Sequence, residues 1–409
     1  MKILFLTNLL PYPLDNGGKI KTFTTIKALA DGGHDIDLLC FKETSSSMND
    51  EETKLLEMCN SVNQIFLPLT TANHKRYMVR IATKSLFSAL PFSIYKYQSN
   101  AMKKKLKEQR NKQYDLVYFD HLPMCVYLKY VHKLWPNAKI ILDEHNCEAV
   151  IARRKAKESC SIIKKIFLII ETLKLEKFEV DSIGNTDKII VLSNADYKSL
   201  VTLINHEFNH SIIPISVPDR GMKNNLNNEI LNILFIGTLT WEPNNAGLLW
   251  FLCEVMPIVE AKKLNIHLFI VGKNPSKEVK EISTEYKDKI TITGYVDSID
   301  EYYDKCDCTI VPLFIGSGQR VKLIEAFSKG MPAISTTIGA EGLEYDGESI
   351  IIADEKNKFA DAIELMQDRK IREKLRINSR KVYDKFYAPD TISKLIRLAV
   401  EEGDENNEE

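Results

Sequence analysis

One pattern restricts this chain more than any other. Short apolar runs alternate with segments of helical spacing, and the alternation stops once and then restarts. "KILFLTNLL" (2–10) is a short apolar run and "PYPLDNGG" is turn chemistry. "KIKTFTTIKALADGG" then carries Ile20, Phe23, Ile26, Ala28 and Leu29 at helical spacing until Gly32 and Gly33 end it. Further strand-like runs follow at "HDIDLLCF", "NQIFLPL", "YDLVYFDH", "AKIILDEH" and "DKIIVLS", separated by helical stretches. Strands that alternate with helices predict a parallel, doubly wound sheet.

The polar stretch "SVPDRGMKNNLNNE" (216–229) has no apolar period and reads as a linker. Beyond it the pattern resumes. "ILNILFIGTL" leads into a glycine turn, "NNAGLLWFLCEVMPIVEAKK" into one long helix, and "IHLFIVG", "ITITGYV", "CTIVPLF" and "PAISTT" read as strands. With 409 residues the chain is too long for one ordinary core. The expected fold class is therefore α/β, with two Rossmann-like doubly wound domains. We place them at 1–218 and 230–388, with the linker at 219–229. An amphipathic helix and an acidic, disordered tail follow at 389–409.

Several classes are set aside by composition. The eight cysteines contain no C-x-x-C pair, and the C-x-C of Cys306 and Cys308 lies in an apolar run. Reduced thiols in a cytosolic protein are expected, and a metal site is not. The N-terminal apolar run is short and broken by Pro11 and Pro13, so it reads as a first buried strand rather than a signal peptide. No stretch reaches the ~18 uninterrupted apolar residues of a membrane helix. Residues 1–220 hold 31 Lys/Arg against 24 Asp/Glu, while 221–409 hold 24 against 32. A basic first half fits an anionic or lipid-linked partner, and no nucleic-acid partner is expected. "RRKAKESCSIIKKIFLII" (153–170) combines cations with apolar residues. It reads first as a surface helix and second as a helix lying on a membrane.

In open α/β sheets, ligands bind beyond the carboxyl ends of the strands, and the polar motifs fall there. Gly17 and Gly18, with Lys19 beside them, place backbone N–H groups at a helix start, where an anion is favoured. Asp120 and His121 end one strand. Asp143, Glu144, His145 and Asn146 end the next, and form either an acceptor-binding cluster or a helix cap supplied by Asn146. Gly237 follows the first strand of the second half, with Trp241 and Asn244 in the same loop. Gly294, Tyr295 and Val296 leave another strand, and exposed main chain there could read a nucleobase edge. The densest motif is "IGSGQRVKLIEAFSKGMPAIST" (315–336). Gly316, Ser317, Gly318 and Gln319 turn the chain into a helix expected at 319–329. Arg320 and Lys322 bring charge to a diphosphate, and Glu325 accepts from sugar hydroxyls. The plainer reading is an amphipathic helix with an internal Arg320–Glu325 pair.

These residues resemble the retaining glycosyltransferases of the GT-B fold, glycosyltransferase family 4. The resemblance is most specific at "GSGQRVKLIEAFSKGMPAISTTIGAEGL" (316–343), in a subgroup with a GSGxRxKxxEA motif. It implies two Rossmann-like domains facing across a cleft: an acceptor domain, and a donor domain that binds a nucleotide diphosphate sugar. The helix at 390–402 would return to the first domain. Glu325 would bind the donor ribose, and Gly17 and Gly18 would approach the donor phosphates. His121 would lie near the anomeric carbon. Ser317 stands where the family commonly has a first glutamate. The implied reaction is sugar transfer with retained anomeric configuration, without cofactor or metal, in surface polysaccharide or glycoconjugate synthesis. Two other readings are a non-catalytic nucleotide-sugar-binding subunit and a GT-B-like nucleotide-sugar epimerase.

Overall fold

The computed structural model describes residues 1–43, 50–67, 75–158, 161–222, 229–316 and 318–401. Side chains are further described except at 50–52, 75–77, 158 and 163. Within these residues the chain forms two compact units. The first comprises Met1–Ile215 and Ile392–Glu409, and the second Ser216–Thr391.

In unit 1 the strands are β1 (Lys2–Thr7), β2 (Asp35–Lys42), β3 (Ser61–Phe66), β4 (Leu116–Asp120), β5 (Lys139–Glu144), β6 (Lys188–Val191) and β7 (His210–Ile212). They pair in the order β3-β2-β1-β4-β5-β6-β7, each strand parallel to its neighbours. The direction of winding reverses between β1 and β4, the place where such sheets open a ligand crevice. Because strand side chains alternate between faces, Leu4, Leu6, Val117, Phe119, Ile140 and Leu142 enter one core. Ile3, Phe5, Leu116, Tyr118 and Ile141 enter the other. The helix Pro389–Glu401 supplies Ile392, Ile396, Ala399 and Val400 to that second core, beside Ile26 and Leu29 of the helix Gly17–Asp31.

Unit 2 holds β8 (Leu231–Ile236), β9 (Ile266–Val271), β10 (Ile290–Gly294), β11 (Cys308–Val311), β12 (Ala333–Ser335) and β13 (Ile351–Ile352). Their order is β10-β9-β8-β11-β12-β13, with the reversal between β8 and β11. The segment that enters unit 2 is stitched down at once. Ser216 Oγ donates to the Tyr387 carbonyl at 2.9 Å, Tyr383 donates to the Val217 carbonyl at 2.9 Å, and Arg380 holds both oxygens of Asp219 at 2.7 Å.

Three details depart from the sequence reading. The long helix expected over 244–263 is two helices, Glu242–Trp250 and Met256–Ala261, around a π-helical turn at Phe251–Val255. Pro257 stands just after that turn, where it has no N–H to continue an α ladder. The stretch 153–170 is not one helix either, since it divides between Glu148–Glu158 and Ile162–Ile183. The helix expected at 319–329 spans Val321–Ser328, so Arg320 precedes it. The acidic tail, residues 223–228 of the expected linker, and Ser317 lie outside the described residues.

Candidate functional sites

Each unit carries a polar cluster at the carboxyl edge of its sheet. In unit 2 the strand β8 ends against Gly237. A Cβ there would stand 2.5 Å from Asn244 Nδ2, so the loop closes this tightly only around glycine. Asn244 Nδ2 donates to the Thr238 carbonyl at 3.1 Å. Lys322 reaches the same loop from the first turn of the helix Val321–Ser328. Its Nζ donates to the Ile236 carbonyl at 2.6 Å and to Asn244 Oδ1 at 2.9 Å. Burial, and then the neighbouring Arg320 cation, push the Lys322 pKa down to about 7.

Arg320 is buried, and its guanidinium lies 5.9 Å from the Trp241 ring centre and 3.4 Å from the Ile338 carbonyl. Gly316 makes room for it. Its φ is +123°, and a Cβ there would come within 3.0 Å of the guanidinium. Gln319 donates to the Gly342 carbonyl at 2.8 Å, so its amide pins the 338–343 loop. Gly318 also has positive φ, at +79°. Farther along the edge, Gly294 ends β10 with φ +71°. Tyr295 is exposed beneath Lys273 Nζ at 4.2 Å from the ring centre, and Val296 packs partly into a small core.

Glu325 has different partners from the expected ones. Arg220 Nη2 donates to its Oε1 at 2.8 Å, and Tyr303 to its Oε2 at 3.3 Å, so the internal Arg320–Glu325 pair is replaced by Arg220. Arg220 also donates to Asp300 at 2.6 Å. Burial raises the Glu325 pKa, while Arg220 and Tyr303 oppose that rise. Sequence reasoning missed Arg220 because it fell in a stretch read as linker. The buried Tyr303 was missed too, inside a helix of otherwise solvated character.

In unit 1, Asn16 caps the helix Gly17–Asp31, its Oδ1 accepting from Lys19 N at 3.0 Å. Lys19 is paired with Asp15 at 2.9 Å. Gly18 lies under the His121 ring, with a Cβ position 3.4 Å from Nε2, and Gly17 opens the helix. His121 has φ +72°, strained for a residue with a side chain, and such strain concentrates at functional sites. The fully buried Asp120 takes His121 Nδ1 on Oδ2 at 3.0 Å and His145 Nε2 on Oδ1 at 2.9 Å. Thr7 and Thr22 also donate to Oδ2, at 2.6 and 2.8 Å. The two imidazoles stack 3.6 Å apart. Burial lowers both histidine pKa values, but contact with the Asp120 carboxylate outweighs it at His121 and leaves that group raised. At His145 burial and the adjacent His121 prevail, and the pKa is lowered. Of the two imidazoles, His121 therefore holds its second proton the more tightly.

The cluster expected to meet an acceptor is largely buried. Asp143 and Glu144 end β5, as the sequence suggests, and both are buried with His145. Asp143 accepts from Tyr118 at 2.6 Å and pairs with the buried Lys21 at 3.5 Å. Burial holds Glu144 well above the usual carboxylate range, and Glu179 beside it is raised to about 7. Asn146 is partly exposed but does not cap the next helix, which begins at Glu148. Glu179 caps it instead, accepting from Glu148 N at 2.8 Å and Ala149 N at 3.1 Å. Glu179 had a sequence signal, since it falls at i, i+4, i+8 spacing between the buried Leu175 and Ile183. Lys21 had the same kind of signal, on the inward face with Thr25 and Ala28.

Among the described residues, Asp120, His121 and His145 bring ligand atoms within 4.8 Å of one another, close enough to hold a metal ion. As they stand, one nitrogen of each histidine is engaged by Asp120.

Residues 231–368 match the family model described as Glycosyl transferases group 1, a span that covers most of unit 2. The chain is 29% identical over 376 residues to an uncharacterized 44.6 kDa protein in the cps region of Klebsiella pneumoniae, covering 88% of this chain and 89% of that one. Sucrose-phosphate synthase from Thermosynechococcus elongatus has a similar structure, with a TM-score of 0.70 at 15% identity over 98% of both chains. Anabaena HepE in complex with UDP matches with a TM-score of 0.64 at 11% identity over 98% of this chain and 99% of that one. A glycosyltransferase from Rickettsia africae matches at 0.62 and 15%, with the same coverage. The two parallel-sheet Rossmann-like units are thus those of GT-B glycosyltransferase structures.

Proposed function

We propose that this chain is a glycosyltransferase that moves a sugar from a nucleotide diphosphate sugar to an acceptor. The observation that carries the reading is the convergence of Lys322, Arg320 and Glu325 at the carboxyl edge of β8 and β11, inside the span that matches the group 1 family model. The UDP held by the HepE structure supports a nucleoside diphosphate as the leaving group. In this reading Arg320, Lys322 and the backbone N–H groups of the 316–320 turn take up the charge that develops on the diphosphate. A well-placed donor of this kind contributes about 3–4 kcal/mol to transition-state stabilisation. Glu325 accepts from the ribose hydroxyls, in exchange for Arg220 or Tyr303. His121 is assigned to the transferred sugar, and Gly17 and Gly18 to the donor phosphates.

Retention of configuration, independence from metal and a polysaccharide acceptor complete the proposal. The cps region of the Klebsiella relative supports the last of these. The test is a panel of nucleotide sugars with the purified chain, reading release of nucleoside diphosphate and the anomeric configuration of the product, with and without chelator. Glu325→Ala and Arg320→Ala should each reduce release by at least about a hundredfold in protein whose circular dichroism shows it folded, with some loss of thermal stability because Glu325 pairs with Arg220 and Arg320 is buried. Wild-type rates in both variants would refute the site. Ser317 favours a second reading, a non-catalytic nucleotide-sugar-binding subunit. Nucleotide-dependent stabilisation without turnover of any donor would support that reading.

A further inference from the structure

The helix Ile162–Ile183 leaves several of the described apolar side chains of its first half exposed. Ile162 is 76% exposed, Ile166 55%, Ile170 46% and Leu173 61%, and these positions form one stripe at helical spacing. A second helix end adjoins the stripe. Lys174 Nζ donates to the Ser85 carbonyl at 2.9 Å, which fixes the end of the helix Lys75–Leu86 against it. Phe87 follows that end, 94% exposed, with Leu86 and Val79 also exposed. Isolated exposed apolar residues are ordinary, but a contiguous patch of this size on a folded surface marks an interaction site.

Charge identifies the occupant. Residues 75–87 contain four Lys/Arg and no Asp/Glu. Residues 151–180 contain eight Lys/Arg and four Glu, and one of those four, Glu179, is buried. Arg153, Lys157 and Lys165 are exposed along the groove beside the stripe, where Arg153 is paired with Glu176 and Lys157 and Lys165 add charge. A second copy docked on the same face would press like charges together. A soluble partner would have to supply acidic groups on every side of an apolar strip. An anionic lipid surface offers both requirements at once, an apolar layer beneath a negative one.

We propose that this face docks the protein on an anionic bilayer, with Ile162, Ile166, Ile170, Leu173 and Phe87 entering the headgroup boundary and the cations resting on lipid phosphates. The helix lies on the bilayer, for among the described residues no helix is long and apolar enough to cross one. The proposal stands on this surface alone and does not depend on the transferase reading.

The test is flotation of the full chain with vesicles of phosphatidylcholine alone or with added phosphatidylglycerol. The chain should float with the anionic vesicles, stay behind with the neutral ones, and be released by 1 M salt, where screening shortens the range of the cations to about 3 Å. Lys157→Glu with Lys165→Glu should weaken flotation at least about tenfold. Ile166→Glu with Ile170→Glu, and separately Phe87→Asp, should do the same. All these positions are exposed, and unchanged unfolding temperatures would show that the variants fold. Absence of flotation, equal flotation with neutral vesicles, or flotation untouched by the variants would overturn the proposal. So would a dimer in sedimentation without lipid that the Ile166/Ile170 variant dissociates, since that would identify a second copy as the occupant.

Discussion

At the residue scale, the Asp120 carboxylate sets two histidines apart. His121 has a folded pKa above its unfolded value near 6.5, so its contribution to stability is complete below pH 6.5 and is lost as pH rises through the raised value. His145 is lowered, and its contribution is lost as pH falls from 6.5 through the lowered value. Histidine NMR should show one imidazole titrating above 6.5 and one below. Asp120→Asn should bring the higher one down, and should destabilise more at pH 6 than at pH 9. Lys322 offers a second titration. With a pKa of about 7 in the free protein, it should take up a proton when a nucleoside diphosphate binds. Calorimetry at pH 7.5 in two buffers of different ionisation enthalpy would read that uptake, and affinity should weaken above pH 7, by up to about tenfold per unit. Lys322→Met should abolish the uptake.

At the element scale, the strands were legible because apolar runs with turn residues on both sides have few alternatives in an α/β chain. The site was legible where Gly316 and Gly318, both of positive φ, announce a turn. Arg320 follows them directly, and Lys322 and Glu325 lie in the helix that begins next. Asp143, Glu144 and His145 were legible as a strand end, but their burial was not. Polar side chains at the end of a strand give no local signal of whether they face inward. Arg220 was hidden for another reason, since a long-range ion pair leaves no periodic trace. The Glu179 cap joins distant segments in the same way. Glu179→Ala should remove the acceptor for Glu148 N and Ala149 N, at a cost of about 0.5–2 kcal/mol, and hydrogen exchange at those two amides should accelerate. At the closing helix, Ile396 is fully buried, and Ile396→Ala should destabilise unit 1 by about 2–5 kcal/mol in denaturant unfolding.

At the scale of the whole molecule, two units of one architecture carry unlike chemistry: two stacked imidazoles on one buried carboxylate in one, and cations beside a paired carboxylate in the other. A chain ending at Thr391 would lack most of the helix that completes the second core of unit 1. Its calorimetric trace should lose or lower the unit 1 transition while keeping that of unit 2, whose core residues lie entirely within Leu231–Leu375. That same helix has a consequence for biosynthesis. Domains ordinarily fold as they leave the ribosome, amino-terminal part first. Here the first unit begun is finished after the second, because Ile392, Ile396 and Val400 emerge only after all of unit 2. Unit 2 has its whole core available before them. A chain stalled late on the ribosome should therefore hold a native second unit and an open first one, with the apolar faces of Ile26 and Leu29 exposed to whatever chaperone waits at the exit.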